Sequence, residues 1–134
     1  MNNDGVKDVV IGSGLLWRTT LDGIIALNGV NGDLLWSTPV YSKLYTTALF
    51  SDLNGDGAKD VIIGGYLGNL LAIDGSNGQI IWEFYHCDSS CQNDSIIDST
   101  VLGFYTPIEI PDINADQVSD FVVTYGGLLS ALPD

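Results

Sequence analysis

The chain has 134 residues, of which 46% are hydrophobic and 16% charged, with seventeen acidic residues against four Lys plus Arg and a formal net charge of -13. This hydrophobic content excludes a disordered tail, and the acidity excludes a basic nucleic-acid footprint and opposes an anionic membrane surface. No apolar run approaches the roughly 18 to 20 residues of a membrane span, so no direct membrane insertion is expected, and Met1-Asn2-Asn3-Asp4 lacks a signal-peptide core.

Sixteen glycines spaced too closely for helices, with many Val, Ile and Leu, predict short strands joined by tight turns, an all-β class. From the N-terminus, Asn2 to Gly12 reads Asn-Asn-Asp-Gly-Val-Lys-Asp-Val-Val-Ile-Gly. It returns at Asn54 to Gly64, offset by 52 residues, and in weaker form from Asn114 through Asp116 and Asp120 to Val123, offset by a further 60. A second motif alternates with the first: Ala26-Leu27-Asn28, Asn31-Gly32 and Trp36 recur as Ala72-Ile73-Asp74, Asn77-Gly78 and Trp82, each offset by 46. Repeats of this length with several strands per unit predict β-propeller blades.

The complete middle unit reads as four strands, at Tyr45 to Asp52, Asp60 to Gly64, Asn69 to Asp74 and Gln79 to Tyr85. The chain therefore divides into part of a first blade (1–40), a second blade (41–86), an insertion loop (86–99) and part of a third blade (100–134), about two and a half four-stranded blades. A closed propeller needs at least four, so a fragment of a larger propeller is expected, with the remainder of the ring or another protein as its partner. An open sandwich is the plainer alternative. The third blade is expected to reach its third strand before Asp134.

In the middle loop Asp52, Asn54, Asp56 and Asp60 occupy positions 1, 3, 5 and 9, with Gly57 at the sharp turn and the Ala58 carbonyl available at position 7. Oxygens at alternate residues suit a hard cation that takes six to eight ligands, and Ca²⁺ fits better than Mg²⁺. An EF-hand would need Glu at position 12 and a flanking helix; Ile63 stands there, in a strand. The third loop offers Asp112, Asn114, Asp116, Val118 and Asp120, but Ala115 and Gln117 replace the turn residues. The first offers Asn2, Asp4, Val6 and Asp8, and its position 1 would precede Met1. Asx turns without metal are the alternative for any one loop.

The Asp loops resemble the calcium-binding FG-GAP repeats of integrin α-subunit propellers. That resemblance implies a calcium-stabilised module, outside the cell or in the secretory lumen, serving adhesion, receptor or scaffold contacts. The second motif resembles the tryptophan-docking repeat of quinoprotein-type propellers, with Asn31 and Asn77 where Thr is usual. Trp36 and Trp82 then pack between blades, and Ala26 and Ala72 leave room for a close neighbour. An enzyme fragment of that class is the alternative function. A self-assembling subunit, a homo-oligomer that completes its sheets with those of neighbours, is another.

Between Trp82 and Asp112 lie about 14 more residues than between Trp36 and Asp52. They include Cys87 and Cys91, expected as a local disulfide in an oxidising compartment, and the N-glycosylation sequon at Asn93. This loop is the expected recognition surface. His86 reads as a solvated loop residue, there is no Gly-x-Ser-x-Gly elbow, and no enzyme activity is expected.

Overall fold

The computed structural model describes residues 1–12, 23–40, 44, 46–65, 69–85 and 100–129. Among them there is no helix, and the strands are β1 (Val9–Gly12), β2 (Gly23–Leu27), β3 (Leu34–Pro39), β4 (Leu49–Ser51), β5 (Asp60–Gly64), β6 (Asn69–Ile73), β7 (Ile80–Tyr85), β8 (Thr100–Phe104), β9 (Ile108–Ile110), β10 (Asp120–Val122) and β11 (Tyr125–Leu129). All pairing is antiparallel and sequential in the first two units: a three-stranded sheet β1-β2-β3, then a four-stranded sheet β4-β5-β6-β7.

The middle sheet has the four strands read from the sequence, with one difference in extent. Of the expected strand Tyr45 to Asp52, Leu49–Ser51 is a strand, Tyr45 lies outside the described residues, and an isolated bridge between Leu44 and Gly65 precedes it. Between them the Thr46 hydroxyl donates to the Gly64 carbonyl at 2.8 Å, taking an acceptor that a regular ladder would give to a backbone N–H. β5 and β6 are buried at every residue, so their apolar run does not alternate: neighbouring sheets cover both faces.

The two Asx-Gly turns fold alike. Gly32 N–H donates to Asn28 O and Gly78 N–H to Asp74 O, each at 2.8 Å, with the glycines at φ 76° and 79°. Left-handed φ carries no Cβ penalty at glycine. The same one-residue register shift lies beside each turn, between Ala26 and Leu27 and between Ala72 and Ile73.

In the third unit the Asp-loop hairpin has two long limbs. β9 pairs with β10 and β8 with β11, joined across the bend by the Tyr105 N–H donating to Thr124 O at 2.9 Å. Tyr125–Leu129 thus continues the second limb of the Asp-loop hairpin, and residues 130–134, ahead of which the third strand is expected to end, lie outside the described residues. The Phe104 to Tyr125 pair repeats the Leu44 to Gly65 bridge 60 residues on.

Two apolar clusters fill the spaces between successive sheets. Ile24, Ala26, Trp36 and Val40 of the first sheet meet Leu44, Val61, Ile63, Leu71 and Ile73 of the second, and Ile62, Leu70 and Ala72 meet Phe104 of the third unit. Close approach is set by glycine at equivalent places. A Cβ on Gly12 would lie 2.9 Å from Leu44 Cβ, and one on Gly64 would lie 2.6 Å from the Phe104 carbonyl oxygen.

Candidate metal-binding loops and the inter-blade junction

Each Asp loop is a ladder of side chains accepting from backbone amides. In the middle loop the Asp52 carboxylate accepts from Gly55 N (2.7 Å) and Gly57 N (3.0 Å), Asn54 Oδ1 from Asp56 N (2.9 Å), and Asp56 Oδ1 from Ala58 N (2.7 Å). The third loop repeats it: Asp112 accepts from Ala115 N (2.6 Å) and Gln117 N (2.9 Å), Asn114 from Asp116 N (2.9 Å), and Asp116 from Val118 N (2.9 Å). The Ala115 and Gln117 departures do not change the loop: they adopt φ 65° and 73°, where Gly55 and Gly57 have 76° and 84°. In the first loop Asn2 Oδ1 accepts from Asp4 N (3.3 Å) and Asp4 Oδ1 from Val6 N (2.8 Å).

The carboxylate at position 9 leaves this ladder and acts as a staple. Asp60 is 0% exposed; its Oδ2 accepts from Leu53 N at 2.8 Å and its Oδ1 from Gly75 N at 2.9 Å, tying the loop's start to the β6–β7 turn. Asp8 repeats the arrangement with Asn2 N (3.2 Å) and Gly29 N (3.1 Å), and Asp120 accepts from Ile113 N (2.7 Å). Sequence reasoning took these residues only as final ligands. The missed signal was Gly29 and Gly75, repeating at the 46-residue offset. A Cβ on either would fall 1.8 Å from the Lys7 or Lys59 carbonyl oxygen, so only glycine lets the turn reach the staple.

Gly75 also joins the two motifs. Its carbonyl accepts the Trp36 Nε1–H from the preceding sheet at 3.0 Å, while the Thr38 hydroxyl donates to the Gly78 carbonyl. The indole is buried and lies on Gly78, where a Cβ would meet Trp36 at 2.9 Å. Asp60, Gly75 and Trp36 therefore form one connected line from an Asp loop to the neighbouring blade. Trp82, expected in the same role, stacks on Phe121 with centroids 5.8 Å apart and planes 4° from parallel.

As cation donors the loops fit in kind, being hard oxygens with lone pairs beyond those the amides use. Asn54, Asp56, Asp112, Asn114, Asp116, Asn2 and Asp4 are exposed and Asp52 half-buried. Among the described residues, however, no group of three or more His, Cys, Asp or Glu side chains is gathered to hold a metal ion, and the ladder closes each loop through backbone amides. The Gln117 amide, then those of Ala115, Asp116 and Asn114, hold the Asp112 carboxyl below the usual carboxylate range against some desolvation. The Ser76 hydroxyl does most to lower Asp74, aided by Asn77. Cys87, Cys91, Asn93 and His86 lie outside the described residues.

Blade-like antiparallel sheets, stacked face to face and linked by repeated Asp-loop and Trp junctions, define a β-propeller module. The comparisons give its family. The model of the FAM234A/B β-propeller family matches residues 16–127, and the chain belongs to that family. It is 25% identical over 136 residues to protein FAM234B of Mus musculus, an alignment covering 92% of this chain and 20% of that protein, so the chain spans a fifth of its relative's length. No solved structure gives a significant match.

Proposed function

We propose that the chain is a non-catalytic recognition and scaffold segment of a propeller, of the FG-GAP kind, presented on the cell surface or in the secretory lumen and reinforced by Ca²⁺. The observation that carries this reading is the repetition of one oxygen-rich loop beside an Asx-Gly turn. The staples from Asp8 to Gly29 and from Asp60 to Gly75 set each loop against its turn. The Trp36 bond and the approach of Ser51 Oγ to Glu109 Oε1 (3.4 Å) bring the three units' loops to one rim. That rim carries Asp4, Asp8, Asp33, Asp52, Asp56, Asp60, Asp74, Asp112, Asp116 and Asp120, ten of the seventeen acidic residues.

Ten carboxylates on one rim repel one another, and a divalent ion in each loop offsets that repulsion. Asp52, Asn54 and Asp56, the Ala58 carbonyl and a free lone pair of Asp60 are the middle loop's ligands; Asp112, Asn114, Asp116, Val118 and Asp120 serve the third. An affinity of ~10⁻⁴ to 10⁻³ M, as in extracellular modules, makes the ion structural. Thermal unfolding with millimolar calcium and then with excess chelator tests this. A rise in midpoint with calcium, absent in Asp56→Ala, supports the reading; identical midpoints in calcium and chelator refute it.

A further inference from the structure

We infer that Asn54–Gly55 and Asp56–Gly57 are sites of spontaneous covalent rearrangement through a succinimide, held back by the two oxygens of the Asp52 carboxylate. The reaction begins when the amide nitrogen after an Asn or Asp loses its proton to base and attacks the preceding side-chain carbonyl carbon. At Asn54 the bond from Gly55 N to Cγ forms, the Cγ–Nδ2 bond breaks and ammonia leaves; at Asp56 the same attack by Gly57 N expels water. Water then opens either carbonyl of the ring, leaving Asp or isoaspartate. A following glycine favours the attack, because no side chain crowds its nitrogen.

Both nucleophiles of the middle loop are held by one side chain. Asp52 Oδ1 accepts from Gly55 N at 2.7 Å and Oδ2 from Gly57 N at 3.0 Å. A carboxylate on an amide hydrogen opposes its removal, since the deprotonated nitrogen would face a second negative charge. The groups to be attacked are already folded back: Asn54 Oδ1 accepts from Asp56 N and Asp56 Oδ1 from Ala58 N, so each side chain lies over the peptide that follows it. The third loop keeps the guard, with Asp112 on Ala115 N and Gln117 N, but both of those residues carry side chains. Elsewhere the holding groups belong to the sheets. Gly78 N, after Asn77, donates to the backbone Asp74 O, and Gly78 is buried against Trp36; Gly75 N, after Asp74, donates to the fully buried Asp60. Those acceptors leave only if the sheets open, whereas Asp52 is half-buried beside an exposed loop and lets go by rotating one side chain. The middle loop is therefore where this chain ages. Isoaspartate at either position lengthens the main chain and puts the ladder of amides out of step. The inference rests on the loop's hydrogen bonds and does not depend on calcium.

The test incubates the full chain in chelator at mildly alkaline pH and follows residues 54, 56 and 77 by peptide mapping, with mass spectrometry and chromatography that resolves isoaspartate. Wild type is compared with Asp52→Ala and with the milder Asp52→Asn, which keeps one acceptor oxygen; Asn77 in the same molecules reports any general loosening. Conversion at Asn54 and Asp56 roughly tenfold or more faster in Asp52→Ala, with Asn77 at its wild-type rate, supports the inference, the factor being that of a lost bond to a charged acceptor. An Asn54 rate in Asp52→Ala and Asp52→Asn no faster than in wild type overturns it. So does wild-type conversion as fast as in a free peptide of the sequence Leu53–Lys59, or a rise at Asn77 that matches Asn54 in both variants.

Discussion

Replacing Asp60 by Asn separates the staple from the ion-binding ladder. The side chain is fully buried and accepts from two backbone amides, Leu53 N and Gly75 N. Asn keeps the shape and one acceptor oxygen, but turns an NH₂ group toward whichever amide it no longer serves. A buried N–H left without an acceptor costs about 1–3 kcal/mol, and the lost bond was to a carboxylate, at the stronger end of such bonds. The expected loss is therefore about 2–3 kcal/mol in chelator, a fall in unfolding midpoint of roughly 8–12 °C for a domain of this size. Asp60→Ala strands both amides and should cost about twice as much. Asp56→Asn is the control: the residue is exposed and its Oδ1 still accepts from Ala58 N, so a change within about 0.5 kcal/mol is expected in chelator. Differential scanning calorimetry of the three variants reads this out. An Asp60→Asn midpoint no lower than that of Asp56→Asn would refute the staple.

Trp36→Phe keeps an aromatic ring against Gly78 but strands the buried Gly75 carbonyl, so a loss of about 1–3 kcal/mol is expected in denaturant titration. In Gly64→Ala the new Cβ meets the Phe104 backbone at 2.6 Å, which forces the second and third sheets apart and should cost about 1–3 kcal/mol by the same measurement. Because the folded-state pKa of Asp112 is lowered, its contribution is present above the unfolded value of about 3.9 and is lost as pH falls through the folded value. Asp112→Asn removes this contribution, so stability should fall less steeply below about pH 4 in the variant than in wild type, read by denaturant titration at successive pH values.

The blade pattern was legible because apolar strands, Asx-Gly turns and two repeats report local geometry. The middle unit's strands follow directly from Val61-Ile62-Ile63-Gly64 and Leu70-Leu71-Ala72-Ile73 bounded by Asp and Gly residues. Less legible was where a carboxylate points. Asp56 and Asp60 belong to one alternating pattern, yet Asp56 is exposed in the loop and Asp60 is buried under a turn 15 residues away, a distinction set by which neighbour covers it.

The Gly75 junction, through which the Asp loop of one sheet holds the tryptophan of another, is tested most directly by a double-mutant cycle of Asp60→Asn and Trp36→Phe. Each side chain bonds a different group of the same glycine, so loosening one should leave less for the other to hold. A coupling of about 0.5–3 kcal/mol, with the double variant less unstable than the sum of the singles, is the predicted result. Losses that add within about 0.3 kcal/mol would contradict a shared junction.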